Sequence, residues 1–266
     1  MPARLLTQTN TGGSARLAAN WLSSLHKLGI ADRAHIFCTD QGALLSLGAY
    51  CEAQEVPASV SRTLLSTADD SVPPGPHPFG TKHFIRFTLW KLDLLQQLAL
   101  AQSFQPFLFC DPDVVLLRDP ESAFEVERAT VEGQTLWFGS DRKDYLKPDA
   151  TNGEYCTGII YETAAEPIFW LQVYQWLASR MPTTTGREGP NFIHDQTAAN
   201  AIIHQWKGFQ PGYLSPELFR NGAHEWRGNP VLIHSNWVIG NEVKEKRLKD
   251  AGLWFANDAT LNQVGL

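Results

Sequence analysis

Across the first 120 residues, short apolar runs alternate with stretches of helical periodicity, and few folds accept that alternation. Leu5-Leu6-Thr7 predicts a first strand and Asn10, Gly12 and Gly13 a turn. Ser14 then stands where an N-cap belongs, and Leu17, Ala18, Trp21, Leu22, Leu25 and Leu28 recur at three and four residues until Gly29. His35 to Thr39 predicts a second strand ending at Asp40, and Gly42 to Leu47 a short helix. This βαβ opening implies an α/β chain with a Rossmann-like sheet, whose strand ends are where open sheets of this class bind ligands.

The pattern continues beyond a proline-rich loop from Ser71 to Gly80. Lys82 to Ala101 is helical by period, Phe107-Leu108-Phe109 is a buried strand running into Asp111, and Val114 to Leu117 is apolar again until Arg118-Asp119-Pro120. Leu136 to Gly139 and Gly158 to Tyr161 predict strands, and Pro167 to Arg180 and Gln196 to Gln205 predict helices. Met181 to Pro190 is a Thr/Gly/Pro loop of the length of a lid, Val231-Leu232-Ile233 a last strand delivering His234, and Glu242 to Leu253 a basic terminal helix. With 266 residues, 43% of them hydrophobic, one continuous domain is the simplest arrangement.

A formal charge of −6 argues against a polyanion-binding surface, so no nucleic acid is expected as a partner. The four cysteines, Cys38, Cys51, Cys110 and Cys156, lack CxxC spacing and read as buried thiols of a reducing compartment. Met1 to Asn10 lacks the apolar core of a secretory signal, and no apolar run reaches the ~18 residues of a membrane span, so a soluble cytoplasmic protein is expected. Nine tryptophans and eight histidines point to a ligand with a ring, such as a sugar or a base.

The sharpest local feature is Phe107-Leu108-Phe109-Cys110-Asp111-Pro112-Asp113-Val114-Val115. In an extended segment residues i and i+2 point the same way, so Asp111 and Asp113 can face one cation, with Pro112 stiffening the backbone between them. An ordinary turn is the plain alternative for a bare Asp-x-Asp, but two carboxylates between apolar runs need a metal or donors to compensate them. His234-Ser235-Asn236-Trp237 also follows a buried strand. His234 is either a structural histidine or the nitrogen ligand that, with two carboxylates, suits Mn²⁺ better than Mg²⁺. Gly240 permits close backbone approach, and Lys244 either reaches a phosphate or belongs to a solvated face with Lys246, Arg247 and Lys249. Asp195 reads as an N-cap or, with Gln196, as a carboxylate and amide offered to a polyol. Asp141, in Gly139-Ser140-Asp141, is a similar strand-end carboxylate.

Together these segments resemble a glycosyltransferase of the type A fold. The closer resemblance is to the nucleotide-diphospho-sugar transferases, family 77 in the carbohydrate-enzyme classification, which are similar to the retaining galactosyltransferases of family 8. The likeness is carried by the helix Phe84 to Leu95 with Lys91, the block Phe109 to Pro120, Asp195-Gln196 with Asn200, and His234-Ser235-Asn236-Trp237-Val238-Ile239-Gly240 with Lys244. It implies a metal-dependent retaining transferase that moves a sugar from a nucleotide diphosphate, UDP by family, to a glycan, lipid-linked or protein acceptor. The cofactor it implies is Mn²⁺ or Mg²⁺, with Asp113 and His234 as ligands and Asp111 on the metal or the ribose. Gly240 and Lys244 are implied to hold the phosphates. Thr7, Asn10 and Asp40 would meet the nucleoside, with Arg86 or Lys91 adding positive charge, and Asp141, Asp195 and Gln196 would surround the donor sugar. Residues 1–120 would then form a nucleotide-binding half and 121–266 a sugar and acceptor half. Trp206, Trp226 and Trp254 are expected near the acceptor. Cys156-Thr157-Gly158 stands where the family often has Asn-Thr-Gly.

Two other classes fit the Asp-x-Asp. A haloacid-dehalogenase-like phosphatase would use Asp111 as nucleophile and Asp113 as acid, with Asp141 and Asp144 imitating its downstream metal motif. A non-catalytic nucleotide-sugar-binding module would keep the fold without turnover.

Overall fold

The computed structural model describes residues 1–11, 14–63, 79, 81–101, 104–130, 133–143, 154–181, 193–206 and 209–266. Gly12 and Gly13, the loop at 71–80 apart from Phe79, Asp144 and the lid-sized loop after Met181 lie outside them. Among the described residues the elements are β1 (Arg4–Thr9), α1 (Ser14–Lys27), β2 (Ala34–Cys38), α2 (Gln41–Ala53), β3 (Ser59–Arg62), α3 (Lys82–Ala101), β4 (Phe107–Cys110) and β5 (Val114–Leu116). They continue with α4 (Glu121–Thr130), β6 (Leu136–Ser140), β7 (Tyr155–Glu162), α5 (Pro167–Arg180), α6 (Asp195–Gln205), β8 (Gly212–Tyr213), β9 (Phe219–Arg220), β10 (Leu232–His234), α7 (Asn241–Asp250) and α8 (Asp258–Gln263).

Seven strands form the main sheet in the order β3-β2-β1-β4-β7-β6-β8. β3, β2, β1 and β4 run parallel, as crossover helices require, whereas β7 is antiparallel to both β4 and β6. Strand periodicity divides the core between the two faces. Leu5, Leu108, Trp137 and Tyr161 point into one cluster with α1 and α2, and Leu6, Phe107, Phe109, Phe138 and Ile160 into the other with α3, α5 and α6. Burial of each such side chain is worth roughly 1.5–3 kcal/mol.

Helix ends follow local chemistry. The Asp40 side chain caps α2 by accepting from Ala43 N–H at 2.8 Å, and Gly29, at φ 71°, ends the turn after α1. Gly240 precedes α7 at φ 98°, a left-handed conformation that favours glycine, and α8, not α7, is the final helix.

A second sheet, β5-β10-β9, positions the chemistry. β5 is antiparallel to β10 with His234 opposite Val114, and Ser235 N–H donates to the Asp113 carbonyl at 2.9 Å. The strand carrying His234 is thereby stitched to the segment that follows Asp113.

Candidate active site

Asp111 leaves the C-terminal end of β4, in the middle of the main sheet. Its backbone N–H donates to the Gly158 carbonyl on β7 at 2.8 Å. Its side chain is one-third exposed, whereas Asp113 is buried at 3%. His234 Nε2 lies 3.2 Å from Asp113 Oδ1 and 3.9 Å from Asp111 Oδ2, and ligand atoms of all three residues fall within 4.8 Å of one another. An octahedral cation with bonds of roughly 2.1 Å spaces neighbouring ligand atoms by about 3.0 Å and opposite ones by about 4.2 Å, so these separations suit one divalent ion. Asp113 Oδ2 is buried and is engaged by Lys244 Nζ at 2.8 Å.

Gly158 packs behind the group. A Cβ there would stand 2.2 Å from His234 Cε1 and 2.8 Å from Asp111 Oδ2, so only glycine leaves the carboxylate and imidazole their places. Cys156, two residues earlier on β7, sets its sulfur 3.7 Å from His234 Nδ1. Burial, then Asp141, pushes the Cys156 thiol up, and burial takes Cys38 to about 12 and Cys51 to about 11, so these thiols stay protonated.

The charges hold one another in fixed states. Burial opposes ionisation of Asp113, but Lys244 and His234 overcome it and hold its carboxyl below the ordinary range. Burial likewise opposes the His234 and Lys244 cations, and Asp113 raises both. Lys91, buried on α3, lies 2.8 Å from both Asp111 Oδ1 and Asp195 Oδ2. Its ammonium is raised despite desolvation by those two carboxylates, and Asp195, also buried, is lowered by Lys91 and His194.

Asp195 is therefore not the N-cap of α6. His194 holds that position without a side-chain cap, and the Asp195 carboxylate turns inward to Lys91, the Thr157 hydroxyl at 2.7 Å and His194 Nδ1 at 3.2 Å. Beside it Gln196 Nε2 donates to Asp141 Oδ2 at 2.8 Å, while Asn236 Nδ2 and Trp237 Nε1 donate to Asp141 Oδ1 at 2.9 and 3.1 Å. A cavity of about 580 Å³ is lined by Asp111, Asp141, Asp195, Gln196, His234 and Lys244, with Gly240 at its edge. Nine sequence-predicted site residues, counting Lys91 and Asp113 through their ion pairs, meet there: Lys91, Asp111, Asp113, Asp141, Asp195, Gln196, His234, Gly240 and Lys244, and Thr157 joins them from β7.

Thr7, Asn10, Asp40 and Arg86 do not line that cavity. Thr7 is fully buried on β1, where it registers with Cys110. Asn10 closes the start of α1 by accepting from Ser14 Oγ at 2.7 Å, and Asp40 is occupied by the α2 cap and by Thr11 N–H at 2.8 Å. Trp206, Trp226 and Trp254 are half-buried, and none of them lines the cavity. Trp206 stacks on Phe209, Trp226 lies under the Arg247 guanidinium, and Trp254 donates to Asp258 beneath Lys249. Sequence reading missed Thr157, Asn236 and His194 as partners of the acids; a threonine and an amide next to glycine and tryptophan were the available signals.

No described helix is long and apolar enough to cross a membrane. In sequence, the chain is 24% identical over 261 residues to UDP-D-xylose:L-fucose alpha-1,3-D-xylosyltransferase 3 of Arabidopsis thaliana, covering 91% of this chain and 64% of that protein. It is 26% identical to xylosyltransferase 1 of the same plant, over 91% of this chain and 68% of the relative. The chain thus spans about two thirds of the length of these relatives. In structure, mouse Xyloside xylosyltransferase 1 in its apo form superposes with a TM-score of 0.57 at 11% identity, over 89% of this chain and 98% of that one, a likeness of fold. The sheet and its flanking helices are those of the type A glycosyltransferase fold. The profile of nucleotide-diphospho-sugar transferases matches residues 46–248, and the chain belongs to that family.

Proposed function

We propose that the chain is a retaining glycosyltransferase that uses a UDP-sugar, with UDP-xylose the first donor to test because both plant relatives are named for it. The observation carrying this reading is the Asp111-Asp113-His234 group at the strand ends of a type A sheet, beside a cavity of sugar-nucleotide size. These three residues would hold Mn²⁺ or Mg²⁺, which when bound supplies Lewis-acid neutralisation of the leaving diphosphate. Lys244 and the backbone at Gly240 bind phosphate oxygens. Residues 1–120 supply most of the nucleoside contacts, and 121–266 supply most of the sugar and acceptor contacts.

Asp141 and Gln196 orient the donor sugar, and Asp195 stabilises positive charge at its anomeric carbon. Both Asp195 oxygens are engaged, Oδ2 by Lys91 and Thr157 and Oδ1 by His194, which makes the carboxylate a poor nucleophile. That supports same-face attack over a covalent glycosyl-enzyme. The phosphatase reading is not favoured: Asp113, held ionised by Lys244 and His234, is unsuited to act as an acid. Four free, buried thiols favour a reducing, cytoplasmic setting.

The test is a panel of nucleotide sugars with Mn²⁺, read by mass spectrometry for UDP release and for a glycosylated product. Asp113→Asn is expected to abolish metal-dependent UDP binding with the thermal melt retained. Unchanged binding in that variant removes the proposed site, and nucleotide binding without any turnover supports the binding-module alternative.

A further inference from the structure

All nine tryptophans lie among the described residues, and Trp237 is the exposed one, at 46%. Its conformation is also unusual. Its backbone sits at φ 63°, left-handed space that a bulky side chain rarely adopts. Its indole Nε1 donates to Asp141 Oδ1 at 3.1 Å, and Lys143 Nζ stands 4.7 Å from the ring centroid. Backbone, ring edge and one ring face are thus each engaged, yet the ring stays nearly half-exposed. Strain of this kind concentrates where a ligand is bound.

We infer that Trp237 is the platform on which the sugar ring of the acceptor stacks, so that the acceptor presents a saccharide and not a bare peptide side chain. The inference rests on the transferase reading and names the acceptor class for it. The ring lines the cavity, and its edge shares Asp141 with Gln196 and Asn236, so an apolar face and hydroxyl-binding groups converge at one place. A pyranose offers the complement: an apolar C–H face and a rim of hydroxyls. The cation and phosphate groups gather around buried Asp113, whereas the indole stands open to solvent, the side from which an acceptor must enter.

The test uses wild type, Trp237→Phe and Trp237→Asn. Asparagine tolerates left-handed backbone, so that variant loses the ring without added strain. UDP with Mn²⁺ is titrated first by calorimetry. Methyl glycosides of L-fucose, D-glucose and D-galactose are then titrated onto the UDP·Mn²⁺ complex by saturation-transfer NMR and tryptophan fluorescence, with linear sorbitol as a control. Wild type is expected to bind at least one glycoside and not sorbitol. Trp237→Phe should keep most of that affinity, and Trp237→Asn should lose about tenfold or more with UDP binding unchanged. Equal affinity for sorbitol, undiminished glycoside binding in Trp237→Asn, or absence of glycoside binding overturns the platform. Loss of UDP binding in Trp237→Asn overturns it by placing the indole in the nucleotide site. Failure of wild type to bind UDP at all instead strikes the transferase reading itself.

Discussion

Gly158→Ala puts a single methyl group where the strand-end site has no room. The added Cβ would stand 2.2 Å from His234 Cε1, 2.8 Å from Asp111 Oδ2 and 3.0 Å from His234 Nδ1. Carbon atoms pack at about 3.5–4.0 Å, so the imidazole must retreat by more than about 1 Å. The strand backbone cannot yield easily, because the Gly158 carbonyl accepts from Asp111 N–H at 2.8 Å and β7 pairs with both β4 and β6. Overpacking of this sort costs about 1–3 kcal/mol, offset by roughly 0.4–1 kcal/mol from the stiffer unfolded chain. A domain with ~5–15 kcal/mol of stability survives that. The site fares worse, since disturbing the groups that orient metal ligands costs on the order of 10–100-fold in metal affinity. Calorimetric titration of UDP with Mn²⁺ should show binding weakened by about that factor, with melting lowered only slightly. Gly48→Ala, in the interior of α2 with nothing within 4 Å of its Cβ, is the control, and should gain about 0.5–1 kcal/mol with unchanged binding. A Gly158→Ala protein that binds UDP and Mn²⁺ like wild type would refute the placement of Asp111 and His234 in one cation site.

Lys91→Met leaves Asp111 and buried Asp195 without their common cation, and urea unfolding at pH 7 should show a loss of about 3–5 kcal/mol; a loss below about 1 kcal/mol would mean the pairs are individually dispensable. Glu162, fully buried on β7, is pushed from 4.5 to about 7 by burial, against the donors Trp170, the Glu166 N–H and Gln105. The folded state therefore keeps its proton in the window between those values, and stability falls as pH rises from about 4.5 to 7 by on the order of 3 kcal/mol, then levels. Denaturation at pH 5 and pH 8 should show that slope in wild type and a flatter one in Glu162→Gln; equal slopes would contradict it. Asp195, being lowered, acts in the opposite sense and outside this window: its stabilisation is complete above about pH 4 and lost below.

What could be read from the sequence was whatever repeats locally. α3 was legible to the residue, Lys82 to Ala101, because Phe84, Phe87, Trp90, Leu94 and Leu98 keep helical spacing; Trp90, Leu94 and Leu98 are buried as that spacing predicts, whereas Phe84 and Phe87 are only partly so. β3 was not, since Ser59–Arg62 is a polar, half-exposed edge strand with no apolar alternation. β8 and β9 have two residues each and exist only through their partners. α2 runs six residues past Leu47 because neither Gly48 nor Tyr50 stops a helix already capped by Asp40. At the site, Asp111 and Asp113 announce themselves because two residues of one strand end suffice to show the pair. The Lys91–Asp195–Thr157 contact joins α3, α6 and β7, and no window of sequence contains it. Asp195 illustrates the difference: its position favours a helix cap, and only the tertiary approach of Lys91 draws its carboxylate inward.

The two tasks assigned to Lys244 constrain each other. In this structure its ammonium lies 2.8 Å from Asp113 Oδ2, and in the proposed donor complex it holds phosphate. It cannot leave a buried carboxylate for a phosphate unless another positive charge takes its place, because an unpaired buried charge costs several kcal/mol. The site has this surplus of negative charge built in. Asp111, Asp113, Asp141 and Asp195 stand against the ammoniums of Lys91 and Lys244. Asp113 holds His234 protonated, so the excess is one negative charge, and it becomes two once the imidazole gives up its proton to serve as a metal ligand, which one divalent cation would offset. Lys91 cannot move to help, since it already bridges two acids on its own side of the cavity. Lys244, partly exposed on the first turn of α7, is the cation placed to turn toward an incoming diphosphate. In the proposed donor complex nucleotide and metal binding would therefore be coupled through Asp113, and by linkage each would raise the affinity of the other by the same factor.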